Sequence, residues 1–553
     1  MNATRILAGV GLFVFLYDGE IAVCAIMLND STVGSVRDFQ ISRDDQRVVY
    51  STMSADGTRF YSRLLFGQHQ SALLNDTTIR RDSSNFGISP DGEWVVMQLQ
   101  DGSPVTSQDI FSRRIDGSGA LFDLTGELVT TWYTTLVGSV KFVPGRNDVV
   151  INATENGLRG LYIGPVDGTA GLRLIANPPL PRTDIERFLL TADGQNAVLV
   201  SGGAYRIPLE GIPSLTKLTG DLRAIEVQIA PDGSRIVFDS KPGVFDPWTF
   251  YSAPVDGSSP PTALGGPASQ GNQNTSRTSQ IAGNSSLIFL SDQEIINQFE
   301  LYSRPLDGSA LATKLNDPLV VGSDVIGFSL TPDGKSAFFS TSDQDGDGMQ
   351  DYYLAPVDGN VPTREIELPV PSGQYVDLVF IAPDNQTAVY TSLRREGNFY
   401  SRQLFSVPLD GSGPAASLSP NVTSTQSVAD VGLSPDGRNV VFGRDINGWQ
   451  SCNLNCHLSF ENHDLFVIPI KGGIPRIVND PLSADPLSQL AITRFQFAAN
   501  GSTVLYMAER LGGFEHDLFA AVIAVPELAS LETLTIGLIC LLLHSRVRSN
   551  RMN

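Results

Sequence analysis

Ten times along this chain of 553 residues, a short apolar run breaks at Pro-Asp-Gly or a worn version of it. The turns fall at Asp91, Asp193, Asp232, Asp333, Asp384 and Asp436, with weaker copies at Asp44, Pro144, Asn284 and Asn500. Proline presets one backbone angle, aspartate bonds its own main chain and glycine accepts positive φ, so each is a hairpin turn. A second signature alternates with the first, an aromatic strand running into Asp-Gly. It reads IFSRRIDG to Gly117, LYIGPVDG to Gly168, FYSAPVDG to Gly257, LYSRPLDG to Gly308, YYLAPVDG to Gly359 and LFSVPLDG to Gly411. YRIPLEG at Gly211 and LFVIPIKG at Gly472 are divergent members.

The stretch from Phe328 to Gly359 shows one unit whole. A first strand ends at Thr331-Pro332-Asp333-Gly334, a second holds Ala337 to Phe339, an acidic loop follows, and a third runs from Tyr352 to Val357. A fourth fits in Arg364 to Leu368. A period of roughly fifty residues, with four short strands in each copy, predicts an all-β chain: a β-propeller of four-stranded antiparallel blades, in which no blade buries both faces alone. About ten repeats make one large ring or two abutting rings. Residues 26–524 hold the repeats, and Ile26 to Val33 supplies a strand for the incomplete last copy after Phe519.

Twenty-six residues separate Asp167 from Asp193, Asp307 from Asp333, Asp358 from Asp384 and Asp410 from Asp436. The opposite interval swings from 17 residues (Asp193 to Glu210) to 35 (Asp436 to Lys471), and this variation falls between the second and third strands. In an up-and-down blade that connection shares a rim with the link between blades. That rim is where binding is expected.

Lys plus Arg number 38 against 59 Asp plus Glu, a net charge of -21. No basic stripe interrupts the acidic surface, so nucleic acid is excluded as a partner on electrostatic grounds. The two ends differ from the repeats. Residues 1–25 read as a secretory signal: a polar start with Arg5, an apolar run from Ile6 to Tyr17 and small residues at Val23-Cys24-Ala25. Residues 525–553 carry Val525-Pro526-Glu527-Leu528-Ala529-Ser530, an apolar run from Leu534 to Leu543, and Arg546, Arg548 and Arg551. An apolar segment followed by basic residues stops transfer with its tail in the cytoplasm, the chain's one expected membrane contact.

Asp343, Asp345, Asp347 and Asp351 set carboxylates along one loop, with glycines that let it curl, and suit a hard cation such as Ca2+. Leu354 stands where an EF-hand places its bidentate glutamate, so a further ligand must come from elsewhere. Asp351 also has a structural reading, since Asp109, Asp464 and Asp517 precede the aromatic strand in other copies. Cys452 and Cys456 lie in the longest variable loop, where an exported chain forms a disulfide; with His457 and His463 they could instead bind zinc. Catalytic constellations are not recognisable. Only five histidines are present, and no Gly-x-Ser-x-Gly elbow appears.

Two resemblances add to this reading. SPDGEWVVMQ from Ser89, SPDGRNVVFG from Ser434 and the Asp-Leu-Phe or Asp-Tyr-Tyr strands resemble TolB-type propeller repeats over roughly residues 36–524. The C-terminal stretch resembles the PEP-CTERM sorting signal of Gram-negative bacteria, with Leu528 in place of its second proline. The latter implies an exosortase-type sorting enzyme as a partner and release to the cell surface, outer envelope or extracellular matrix. The acidic loop resembles those of thrombospondin type 3 and dockerin repeats. Together these features predict an exported binding or scaffold module that meets protein or polysaccharide at the cell surface, stiffened by Ca2+. The alternative is an extracellular polysaccharide hydrolase or lyase working from the variable-loop rim.

Overall fold

In the computed structural model, every element of the described residues is a β-strand, and the strands assemble into ten antiparallel blades. The described residues run from 12 to 523, apart from the stretches 31–33, 76–84, 100–108, 129–139, 177–184, 266–277, 420–425, 451–462 and 480–489 and a few positions in short turns. The fold is a β-propeller. Blades 1 to 10 begin with first strands Ser35–Ile41, Phe86–Ile88, Val140–Phe142, Arg187–Leu190, Val227–Ile229, Ser279–Ala282, Val325–Leu330, Gln374–Ile381, Ser427–Leu433 and Leu490–Phe497. The chain divides into two compact units, one of residues 1–54, 63–71 and 370–553, the other of residues 55–62 and 72–369.

All ten predicted turns join a first strand to a second. Their chemistry is a relay of hydrogen bonds. In blade 7 the Thr331 hydroxyl donates to Asp333 (2.7 Å) and accepts from the Ser336 N–H (3.0 Å), while Asp333 accepts from the Lys335 N–H (3.1 Å). Ser89 and Asp91, and Ser434 and Asp436, repeat the arrangement. Where glycine is missing from the turn, Asp45 (φ 56°) and Asn385 (φ 57°) take the left-handed conformation themselves, which these residue types tolerate best.

Hydrophobic cores lie between blades, as the repeat reading requires. One unites Ile288, Leu290 and Leu301 of blade 6 with Val325, Ala337 and Phe339 of blade 7. The Asp-Gly turns set the spacing. A Cβ on Gly308 would meet Thr262 Cγ2 at 2.6 Å, and one on Gly359 would meet Thr313 Cγ2 at 2.7 Å, so each glycine lets a turn sit on the fourth strand of the blade before it.

Blade 10 is completed from the other end of the chain. Glu20–Met27 pairs antiparallel with His516–Ile523, from Val23 opposite Ile523 to Met27 opposite Phe519, and Leu12–Tyr17 adds a fifth strand. The closing strand therefore begins several residues earlier than the expected start at Ile26. Its register is fixed just beyond its end, where Leu28 N–H donates to Leu518 O (2.7 Å) and Asn29 Oδ1 accepts from the Leu518 N–H (2.7 Å). Other blades use the same clasp. Leu315 and Asn316 bond Leu301 at both main-chain groups, as do Leu74 and Asn75 with Phe60, and Leu418 and Ser419 with Leu404. Arginine adds a second tie between blades. Arg63 donates to Leu28 O (2.6 Å) as Arg304 does to Leu264 O (2.7 Å).

Candidate functional site

The acidic loop connects the second and third strands of blade 7, Ser336–Thr341 and Asp351–Pro356. It docks on the link between blades 6 and 7. Val320 N–H donates to Gln344 Oε1 (2.9 Å), Asp324 N–H to the Ser342 hydroxyl (3.2 Å), and Ser323 Oγ to Asp343 O (3.4 Å). The two connections share one rim, as the spacing predicted.

Within the loop, Asp343, Asp345 and Asp347 each offer a carboxylate oxygen, and the three atoms lie within 4.8 Å of one another. Asp343 accepts from the N–H groups of Gly346 (2.6 Å) and Gly348 (2.7 Å), which hold its carboxyl below the ordinary aspartate range. Asp351 behaves oppositely. Burial and the neighbouring charges of Asp345, Asp347 and Asp343 push it up, against a hydrogen bond of 2.7 Å from the Gln344 N–H. Asp351 opens the third strand, as its structural reading expects, and is not among the three clustered carboxylates. Leu354 sits within that strand, away from the carboxylates' loop. Cys452, Cys456 and His457 lie outside the described residues, as does the 525–553 segment. The backbone of His463 opens the third strand of blade 9.

A second polar cluster, which sequence reasoning missed, sits in blade 6. Glu300 has a buried side chain, takes a hydrogen bond from the Tyr302 hydroxyl (3.0 Å) and pairs with Lys314 Nζ (3.0 Å). Lys314 also pairs with Glu294 (2.7 Å). Its charge is fully engaged, which marks the cluster as structural.

The first strands carry a third feature. In blades 8, 9, 10 and 1 they are 8, 7, 8 and 7 residues long, against 3 or 4 in blades 2 to 6. Each long strand slips register by one residue against its second strand, placing an extra residue at Asp377, Asp430, Thr493 or Arg37. Blade 7 has the same slip at Ile326, whereas blades 2 to 6 pair without a break. A bulge bends its strand and re-aims a side chain. Here it brings charge to the first strands: Asp377 pairs with Arg402 (2.6 Å), and Arg494, next to the bulge at Thr493, pairs with Asp38 of blade 1. The first strands of blades 9 and 10 line a cavity of about 520 Å3 that includes Asp430, Thr493, Arg494, Phe495 and Gln496. Pro435 lines it too, so it reaches toward the Pro-Asp-Gly turn and away from the variable rim.

No family model matches the chain, and no curated protein matches it. Solved structures align with it at low identity and with TM-scores below 0.5. A crystal structure of a eukaryotic initiation factor aligns with a TM-score of 0.44 at 9% identity, over 85% of this chain and 96% of that one. A GH74 enzyme of Niastella koreensis aligns with a TM-score of 0.29 at 10% identity, over 88% and 78% of the two chains. An oligogalacturonate lyase in complex with manganese aligns with a TM-score of 0.30 at 11% identity, over 78% and 96%.

Proposed function

We propose that the protein is an exported, TolB-like propeller that acts as a binding or scaffold module at the cell surface or in the extracellular matrix. Its address comes from the 1–25 signal and the PEP-CTERM-like segment at 525–553, the latter read by an exosortase-type enzyme. The observation that carries the binding role is the bulged wall of blades 8, 9, 10 and 1, where a repeat scaffold departs from its own regularity to present charged and amide side chains. Ca2+ bound by Asp343, Asp345, Asp347 and Asp351 stiffens the rim of blade 7 in this reading, and Cys452 and Cys456 pin the loop of blade 9. Cleavage after Ala25 keeps the clasp of Leu28 and Asn29 on Leu518 in the mature chain but removes the pairing of Val23, Cys24 and Ala25 with Ile523, Val522 and Ala521, so the exported form would close blade 10 with Ile26 to Asn29 alone. The test is fractionation of cells carrying the tagged full chain, with N-terminal sequencing of the product. Recovery from the surface or matrix fraction with Ile26 first supports the proposal, and cytoplasmic retention overturns it.

A second reading, a hydrolase or lyase acting on polysaccharide, draws on Asp377 and Asp430 at equivalent bulges of blades 8 and 9. Release of reducing ends or unsaturated products by the wild type, abolished in Asp430→Asn, would establish it.

A further inference from the structure

The cavity between the first strands of blades 9 and 10 has the chemistry of a saccharide site. We infer that it binds a short neutral oligosaccharide; this rests on the binding-module reading and names its ligand and its place. At about 520 Å3 it falls within the size of small-ligand pockets, roughly 300–1,000 Å3.

Its walls are built for the purpose. Gly432 leaves room for the Phe495 ring, since a Cβ there would meet Phe495 Cε2 at 2.6 Å, and the ring consequently lies against the backbone at the cavity's edge. Asp430 is exposed and stands at the bulge with φ 33°, an unusual backbone conformation for a residue with a side chain. Arg494 lies with its guanidinium 5.1 Å over the Phe39 ring and is tied to Asp38, which fixes its plane while leaving further N–H groups to donate. Gln496 follows two residues on, on the same side of the strand. The Thr493 hydroxyl is buried and has no hydrogen-bond partner among the described residues.

These groups select among ligand classes. An acidic ligand meets Asp430 and a chain of net charge -21, and the one nearby cation is already balanced by Asp38. A purely apolar ligand would strip water from Asp430 and Gln496 without replacing its hydrogen bonds. A neutral sugar answers every group. Its hydroxyls both donate and accept, matching an acceptor (Asp430), a donor (Arg494) and a group that does both (Gln496), and its C–H face suits an aromatic ring.

The test uses the full-length protein with maltotetraose, cellotetraose and xylotetraose as neutral probes and a galacturonate oligomer as the acidic comparison. Saturation-transfer NMR reports contact and calorimetry gives affinity. At least one neutral probe is expected to bind in preference to the galacturonate. Asp430→Asn and Gln496→Ala, both on exposed residues, should each weaken it about tenfold with Tm unchanged, the loss of roughly one hydrogen bond to a charged or amide group. Gly432→Val, which displaces the ring, should abolish binding. Absence of binding by every neutral probe, or preference for the galacturonate, overturns the inference. Equal affinity in the wild type and in the Asp430 and Gln496 variants also overturns it, while leaving a binding module whose site lies elsewhere. Surface fractionation tests the broader reading separately.

Discussion

Asn29 and Leu518, 489 residues apart, are joined by a hydrogen bond of 2.7 Å from the Leu518 N–H to Asn29 Oδ1, and the amide of the same Asn29 donates to Asp517 Oδ1 (2.9 Å). Both ends of Asn29 are thus engaged in a buried clasp, and blade 10 is whole only when it forms. Replacing Asn29 with Ala should cost about 2 kcal/mol, since it removes both the acceptor of the Leu518 N–H and a donor to Asp517. Deleting residues 1–30 should cost more and expose the amides of 516–523. Hydrogen exchange on the two variants checks this: unchanged protection of 516–523 in the deletion would show that the N-terminal strand does not close the blade.

Acid should unfold the protein through its turns. Asp91 and Asp333 have pKa values held low: burial opposes ionisation, and hydrogen bonds from Ser89 or Thr331 and from the N–H two residues on outweigh it. Donors on Ser234 and Ser309 lower Asp232 and Asp307. A carboxyl depressed in the folded state stabilises the fold above its unfolded pKa, about 3.9, and that stability drains as pH falls through the lower folded value. The denaturant midpoint should therefore fall below about pH 4, and Asn at these four positions should flatten the fall. A midpoint in the wild type that holds steady down to about pH 2 would count against the account.

Asp351 should respond with opposite sign to the presence of calcium. Its pKa is raised, so its ionisation at neutral pH works against folding when no cation is bound. Asp351→Asn keeps an acceptor for the Gln344 N–H and should raise stability slightly in chelator, by less than about 1 kcal/mol, yet lower Tm relative to wild type in millimolar Ca2+. If Ca2+ leaves the wild-type Tm where it was, the loop is a solvated hairpin.

Lys314 should matter out of proportion to its position on an outer strand. Lys314→Met leaves the buried Glu300 carboxylate with the Tyr302 hydroxyl alone, which should cost about 3 kcal/mol. Adding Glu300→Gln should restore most of the loss. Equilibrium unfolding of the single and double variants decides this: a loss as large in the double as in the single would mean that Lys314 contributes packing and not charge.

The blades were legible because their turns repeat. Pro-Asp-Gly needs its residues for local reasons, so it recurs, whole or worn, in ten copies and located all ten turns between first and second strands. The clasp was less visible. Its acceptor is Asn at 75 and 316 but Ser at 419, residues that share an oxygen at one place and little else. Read as a motif, Leu28-Asn29-Asp30 beside Leu74-Asn75-Asp76 and Leu315-Asn316-Asp317 marks the end of a fourth strand. That would have put the closing strand before residue 28 instead of starting it at Ile26. The bulges at Asp377, Asp430 and Thr493 leave no such mark, because one extra residue in a strand of seven or eight barely disturbs its alternation. The cavity therefore had no signal in a single sequence, whereas the acidic loop announced itself by spacing alone.

Placing the last blade's clasp at residues 28 and 29 has a consequence for manufacture. These residues find their partners only when residue 518 has followed them out of the ribosome, so blade 10 is sealed late. Until then the strand at 516–523 has no neighbour on one side, an open edge that could recruit a stray strand. The contact across 489 residues thereby also shields the edge most open to a foreign strand.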